Sequence, residues 1–388
     1  MNTKFPFYRE VSPELTLQRV RPFLASMGIT RTADITGLDS LGIPVYTTVR
    51  PRAWMVQVSS GKGHTHSASE CSSVMEAIEH FHAESPPDSL LFPASESFLS
   101  RHSSIPVVSP ALLLQSQTLS PFYQPTLNST WLQAIDLFSQ QPSWLPADSV
   151  YFMNHGYIAT NSNGLSSGNS MEEATLHSLY ELLERDAFAS LVRNKRVNFR
   201  ELATRINPSS IPFEFISRAL NSIQSKGCFF HVLLLPSKIN VFTFWVGISQ
   251  FDALPIPNSF CFGLGCHSDP SVALMRAITE AAQSRAVFIH GSREDVLSKM
   301  ANAPGQKAMT PQRLHRHLSS IMPTAWEHAV GPSIGPRGSI PDELDSITLQ
   351  LKMANLLPLY KVDLTLPQYL IPVVKIIAPA LKFNPRIL

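Results

Sequence analysis

Cysteine is scarce. The four present (Cys71, Cys228, Cys261 and Cys266) fit neither a disulfide framework in a chain of 388 residues nor a zinc ribbon or CxxC redox pair. Long apolar runs are missing too: none can span a bilayer, and the N-terminus MNTKFPFYREVSPELTLQRV has no apolar signal core. A cytosolic location is expected, with no membrane partner. Charge of one sign is not in excess either. The 31 Lys and Arg residues are interspersed with 29 Asp and Glu, for a net charge of +2, so no basic stripe invites nucleic acid or an anionic membrane. There is no G-x-x-x-x-G-K-[ST] loop, no complete dinucleotide fingerprint after the GLG of Gly263–Gly265, and no G-x-S-x-G elbow. These absences exclude a P-loop or Rossmann site and leave no obvious protein nucleophile.

What is present is a chain long enough to bury roughly three quarters of its unfolded surface without a metal or disulfide staple. Strand-like runs PVYTTVRP, MVQVSS, HVLLLPS and VFTFWVGIS alternate with helical patterns, which predicts a mixed α+β or α/β domain. The 31 prolines are spread unevenly. Residues from about 85 to 150 read as short strands and loops wrapped over the domain, because proline interrupts helices and central strands alike. A second irregular stretch, about 291–340, contains one helix near Thr310–Ile321.

One unusual pattern occurs three times, in Gly61–Glu84 (GKGHTHSASECSSVMEAIEHFHAE), Ser167–Ala187 (SGNSMEEATLHSLYELLERDA) and Gly263–Arg285 (GLGCHSDPSVALMRAITEAAQSR). Each copy has a Gly-containing turn, small polar residues, and then a helix carrying two polar residues three apart. The pairs are Glu76/Glu79, Glu181/Glu184 and Glu280/Gln283.

Residues three apart share one side of a helix, and Glu173 aligns with Glu184 three turns later. Apolar residues flank all of them, and burying a bare carboxylate is costly. For one pair alone, a solvent-facing edge of the apolar stripe is the plainer reading. Recurrence in three segments argues instead for a compensating cation. Mg²⁺ prefers carboxylate oxygens and is commonly shared with phosphates. Gly-rich turns and helix N-termini offer N–H groups to anions, and Lys62 adds a point charge. These parts describe a nucleoside triphosphate held by Mg²⁺ ions, with the glutamates as ligands.

The ordered runs GITRTADITGLDSLGIPVY, GKG…SSVMEAIEH, TNSNGLSSGN…EEA…H…ELLERDA, GLGCHSDPSVALMRAITEAAQSR, GSRED and IPVVKIIAP resemble the YcaO family from about Arg9 to the C-terminal region. The resemblance implies an α+β fold of degenerate repeated units around an acidic ATP/Mg²⁺ cleft, with residues 1–388 as a single catalytic domain. It also implies ATP-dependent phosphorylation of an amide oxygen, which leaves as phosphate. Carried over by position, Lys62, Glu76 and Glu79 match the first ATP/Mg²⁺ motif, and Ser166, Asn169 and Glu173 the loop and helix start that touch nucleotide and metal. Glu181, Glu184 and Arg185 match the second motif, and Arg276, Glu280 and Gln283 the third. Arg9 and Thr16 match a cation and a hydroxyl that help hold phosphates. The Mg²⁺ ligands would be Glu76, Glu79, Glu173, Glu181, Glu184 and Glu280. One departure stands out: the family's SxxExxER reads Ser73-x-x-Glu76-x-x-Glu79-His80, and histidine is largely neutral at physiological pH.

Within the family the nucleophile is a Cys, Ser or Thr side chain (azolines), sulfide (thioamides) or an amine (amidines). The chain ends APALKFNPRIL without a PxPxP tail, and GLDSLGIPVY and GSRED are more similar to members that act with a TfuA partner. The expected chemistry is therefore thioamide formation on a peptide or small amide-like substrate in natural-product biosynthesis. A TfuA-like or other sulfur-donating partner and a homodimer are expected with it. The alternatives are azoline formation on Cys, Ser or Thr of a ribosomal peptide, amidine formation, or a non-catalytic ATP-binding scaffold. His64, His66, His80 and His82 do not match H-E-x-x-H and are expected as hydrogen-bonded surface histidines rather than zinc ligands. Cys261 and Cys266 read as small core residues, with a sulfur relay as the sharper alternative. VFTFWVG reads as strand core, and His315–His317 as a solvated helix face.

Overall fold

Helix α1 (Pro13–Val20) precedes an antiparallel sheet of β1 (Arg31–Asp34), β2 (Val45–Val49) and β3 (Val58–Lys62), and β3 leads into α2 (His66–Ala83). The proline-rich stretch forms β4 (Phe92–Ser95), α3 (Glu96–His102), α4 (Pro110–Leu113), β5 (Asn128–Asp136) and β6 (Pro142–Pro146). Next, β7 (Leu165–Ser167) leads into α5 (Met171–Ser190). A hairpin of β8 (Val192–Arg193) and β9 (Arg196–Val197) and a short α6 (Phe199–Leu202) follow. Then come β10 (Thr204–Arg205), α7 (Glu214–Ser225), β11 (Phe229–Leu235), β12 (Phe242–Ser249) and β13 (Phe260–His267), the last leading into α8 (Pro270–His290). Helices α9 (Pro311–Ser319), α10 (Trp326–Val330) and α11 (Ile340–Met353) precede β14 (Tyr360–Asp363) and β15 (Val373–Ile377). The computed structural model describes residues 9–113, 120, 122–153, 157, 158, 161–193, 196–251, 260–291, 311–331 and 338–383.

The fold is α+β. Strands β10-β11-β12-β13 form an antiparallel sheet of four, and β4-β5-β14-β15-β7 with β6 on β5 form one of six. The four runs named as strands fold as β2, β3, β11 and β12. The helix expected near Thr310–Ile321 is α9; most of the rest of 291–340, including GSRED beyond Gly291, lies outside the described residues. The proline-rich stretch does more than wrap the domain. Strand β5 joins β4, β6 and β14, and its Trp131 and Leu132 are fully buried. Pro93 sits in β4 and Pro142 and Pro146 in β6, strands at the margin of the sheet that pair with β5, with β6 also bridging Val107 through Trp144.

Capping side chains start the three long helices. Thr65 accepts from the Ala68 amide, Ser170 from Glu173, and Asp269 from Ser271 and Val272, with Pro270 at the first position of α8. Each helix then lies on the strand before it, and glycine permits the approach. A Cβ on Gly61 of β3 would fall 2.1 Å from the Ser73 nitrogen of α2, and one on Gly265 of β13 would fall 2.2 Å from the Ala273 oxygen of α8. The glycines of GKG and GLG are therefore backbone contact points between strand and helix. Gly61, Gly263 and Gly265 thus lie in strands and not in the turns expected.

Each helix also touches the strand that opens the following segment. Helix α2 packs on β3 and β7, α5 on β7 and β13, and α8 on β13 and β3, which closes the circle. Apolar residues on the same helices fill separate cores. Val74, Ala77 and Ile78 pack with Leu132, Leu145 and Val373; Leu179, Leu182 and Leu183 with Leu351, Val374 and Ile376; Ala277, Ile278 and Ala281 with Phe244, Val246 and Trp326. Among the described residues, no helix is long and apolar enough to cross a membrane.

Candidate active site

The polar pairs use equivalent geometry. Glu76 Oε2 accepts from the Ser60 amide at 2.7 Å, and Glu280 Oε1 from the Leu264 amide at 3.3 Å, each sixteen residues back in its own strand. The second member of the pair reaches the neighbouring segment. Glu79 Oε1 accepts from the Ser167 amide at 2.8 Å and its hydroxyl at 2.6 Å, and Gln283 Nε2 donates to the Ser60 carbonyl at 2.7 Å. Glu181 and Glu184 of α5 face Glu280 across the gap, together with Arg185 and Lys62.

The N-terminal segment closes one side. Arg9 Nη1 pairs with Glu173 Oε1 at 2.9 Å, the Glu10 amide donates to Oε2 at 3.1 Å, and Asn169 Nδ2 lies 3.2 Å from Oε2. Thr16 Oγ1 donates to Asn169 Oδ1 at 3.0 Å. Lys62 forms an ion pair with Glu280. Arg276 of α8 meets His177 of α5 at 3.2 Å.

These contacts leave the carboxylates short of positive charge. Burial pushes Glu79 up to about 8; the Ser167 hydroxyl opposes this, while Glu76 and Glu181 add to it. Burial and then Glu280 push Glu184 up to about 7. Burial raises Glu181 as well, with Arg185 opposing. Glu280 feels the same burial, but Lys62 and Arg185 outweigh it and leave this carboxyl below its ordinary value. Polar atoms are also left over: the hydroxyls of Ser60 and Ser166 are buried and have no hydrogen-bond partner among the described residues.

Among the described residues, no three His, Cys, Asp or Glu side chains gather into a metal cluster. The reason is visible: Arg9 and Lys62 engage Glu173 and Glu280, while Glu76 and Glu79 lean on strand amides. Under-compensated carboxylates already tied to cations and strand amides fit a hard cation shared with phosphate oxygens better than an all-protein cage.

Most of the residues singled out from sequence thus lie on or against α2, α5 and α8, and Ser166 is buried in the middle of β7. The histidine cluster does not gather. His66 pairs with Asp34 at 3.2 Å, His82 Nδ1 lies 2.8 Å from the Ile78 carbonyl, and His80 is buried 3.3 Å from the Ser59 hydroxyl, against Phe152. Surface placement was expected for these residues; burial of His80 and His82 inside α2 corrects it. His315 is not simply solvated either, because its Nδ1 lies 3.0 Å from His231 Nε2 and its ring packs on Phe229. Cys261 and Cys266 are buried, and burial pushes both thiols up to about 12. The backbone of Ser60 and both donors of Ser167 enter the arrangement unforeseen. So does Lys375, fully buried on β15 and donating to the Asn161 and Asn163 carbonyls at 2.7 and 2.8 Å.

A family profile described as YcaO cyclodehydratase, ATP-ad Mg2+-binding, matches residues 60–382. An uncharacterized protein of Methanothermobacter thermautotrophicus is 32% identical over 387 residues, covering 96% of this chain and 94% of that one. An uncharacterized protein in the tfuA 3′ region of Rhizobium leguminosarum bv. trifolii is 33% identical over 305 residues, 74% of this chain and 69% of the other. The structure of YcaO from Methanopyrus kandleri bound with AMPPCP and Mg²⁺ superposes with a TM-score of 0.74 at 23% identity, over 96% of this chain and 91% of that one. The chain belongs to the YcaO family, whose domain binds ATP and Mg²⁺.

Proposed function

We propose that this chain, acting as one catalytic domain, uses ATP to activate an amide carbonyl and directs sulfur to its carbon, giving a thioamide. The amide oxygen attacks the terminal phosphorus of ATP, the bond to ADP breaks, and the amide N–H proton is released. Hydrosulfide then adds at the activated carbon, and the carbon–oxygen bond breaks to release phosphate. Amide oxygen is a poor leaving group, and phosphorylation turns it into a stabilised anion. Such a transfer needs positioning and charge neutralisation more than a protein nucleophile.

The observation that carries this reading is the set of raised carboxyls, Glu79, Glu181 and Glu184, gathered with Arg185, Lys62 and Glu280 among α2, α5 and α8; the Ser60 and Ser166 hydroxyls, buried without a hydrogen-bond partner among the described residues, add to it. Bound Mg²⁺, held by carboxylates from Glu76, Glu79, Glu173, Glu181, Glu184 and Glu280, would screen the charge of the phosphates. Arg9, Lys62, Arg185 and Arg276 supply the remaining positive charge, and Thr16, Ser166, Asn169 and Gln283 the polar contacts. Thioamide chemistry is favoured by the 33% identical relative in the tfuA 3′ region, and a TfuA-like protein is the proposed sulfur-donating partner. The family description, cyclodehydratase, favours azoline formation as the second reading. A homodimer is the proposed assembly.

An amide substrate labelled at its carbonyl oxygen decides between these outcomes. Label in the released phosphate together with an oxygen-to-sulfur exchange supports the thioamide reading. Loss of one water means azoline. Phosphate released without the label sinks both.

A further inference from the structure

Among the described residues, five cations act on the carboxylates: three have carboxylate partners, and Lys375 donates to the Asn161 and Asn163 carbonyls. Arg9 pairs with Glu173 at 2.9 Å, Lys62 with Glu280, and Arg185 Nε lies 3.9 Å from Glu184 Oε1. Arg276 differs. Among the described residues no carboxylate oxygen comes within ion-pair distance of it, and Glu184 and Glu280 act on it only from farther away. Its Nη2 instead lies 3.2 Å from Nδ1 of His177.

That contact fixes the state of the imidazole. A guanidinium can only donate, so His177 Nδ1 carries no proton and the ring proton sits on Nε2. Burial, then Arg9, Arg276, Lys62 and His267, all disfavour a charged ring at this place. His177 follows Glu173 by four residues and precedes Glu181 by four, so it stands on the carboxylate face of α5. Where its neighbours on that face bring negative charge, it brings a neutral acceptor. It orients a guanidinium without cancelling it.

We infer that His177 is a positioning residue that aims Arg276, with its charge uncompensated, at the polyphosphate of a ligand in the cleft. The inference deepens the nucleotide reading above and rests on it for the identity of the anion.

The test is calorimetric titration of the full chain with Mg²⁺ plus AMPPCP and, separately, with Mg²⁺ plus inorganic tripolyphosphate. His177→Asn keeps an uncharged acceptor and should bind both probes within about threefold of the parent, whereas His177→Glu should weaken both by about tenfold or more. In an Arg276→Gln background the same His177→Glu change should cost little further affinity, because the group it neutralises is gone. If His177→Glu does not fold by circular dichroism, His177→Leu takes its place, with an expected loss of about tenfold that Asn does not show. Parental binding with no difference among these variants overturns the inference and leaves the nucleotide reading standing. Binding of tripolyphosphate but not AMPPCP, with the Glu variant impaired, supports the inference and overturns the nucleotide reading. A parent that binds neither probe overturns both.

Discussion

Glu79 on α2 and Ser167 at the end of β7 are joined twice, the carboxylate oxygen Oε1 accepting from the amide at 2.8 Å and from the hydroxyl at 2.6 Å. The contact ties the first repeated segment to the second and holds an acid group among other acid groups. Burial and its neighbours push Glu79 up to about 8 and Glu184 up to about 7. The folded chain therefore keeps protons that the unfolded chain has lost, and stability falls as pH rises from the ordinary carboxylate range to 8. Histidines act with the opposite sign. Burial holds His82 and His231 near 4 and His267 near 3, so below 6.5 the unfolded chain gains protons that the folded one refuses. Ligand-free protein should thus have its highest Tm where the rising and falling contributions balance, and Glu79→Gln should flatten the fall up to about 8, most plainly in its upper interval from about 7 to 8, beyond the titration of Glu184. A parental Tm that rises across that upper interval contradicts the assignment.

Removing one charge from α5 should separate binding from folding. In Glu184→Gln the side chain keeps its shape but loses the charge that attracts Mg²⁺, and the neighbouring Glu280 is relieved of repulsion. Affinity for Mg²⁺-AMPPCP should fall by about tenfold or more, with an unchanged circular dichroism spectrum and an equal or higher ligand-free Tm. Equal affinity would show that the carboxylate serves structure alone.

How much of this is legible in the chain differs from residue to residue. The nearly continuous apolar run in VFTFWVGIS is enough to place Phe244 and Trp245 in a strand core; as neighbours on a pleated strand they point to opposite faces, into separate clusters. The pairing of Glu76 with Glu79 follows from helical spacing alone. His177 is legible in principle too, since four-residue steps from Glu173 and to Glu181 put it on the same face. The role of Gly61 is not legible: spacing shows that a glycine is present, but not that Ser73 lies where its side chain would be. Lys375 is hidden for a related reason. It interrupts an apolar run, and only the pairing of β15 with β7, which sets it opposite Leu165, brings it to the Asn161 and Asn163 carbonyls.

The strand–helix contact at Gly61 makes a sharp stability test. A Cβ there would lie 2.1 Å from Ser73 N and 2.2 Å from Ser69 O, both backbone atoms that cannot turn aside. Gly61→Ala should cost about 3 kcal/mol or more by chemical denaturation. Gly37, where nothing lies within 4 Å of the added carbon, is the control and should tolerate alanine with little change. Similar losses at both positions would mean that flexibility, and not close approach, is the reason for glycine.

Sulfur should come from outside this chain. Cys228, Cys261 and Cys266 are buried, and burial pushes the thiols of Cys261 and Cys266 up to about 12 and that of half-buried Cys71 up to about 11. A relay needs an accessible thiolate, which these settings withhold. Replacing Cys71 and Cys261 by alanine should leave sulfur incorporation at the parental level when hydrosulfide is supplied. Loss of incorporation with ATP hydrolysis preserved would restore a relay role.

Ser166 offers the opposite balance of stability and function. Its hydroxyl is buried in the middle of β7 with no hydrogen-bond partner among the described residues, so the ligand-free fold bears the cost of desolvating it and gains nothing in return. Ser166→Ala should leave the ligand-free protein as stable as the parent or more stable by about 1 kcal/mol. The same variant should bind Mg²⁺-AMPPCP more weakly, because the group that the fold leaves unsatisfied is the one a phosphate oxygen would accept from. The two measurements pull in different directions only if the hydroxyl is kept for a ligand. A variant that loses stability and keeps its affinity would show that Ser166 is structural, bonded in solution to a group other than the nucleotide.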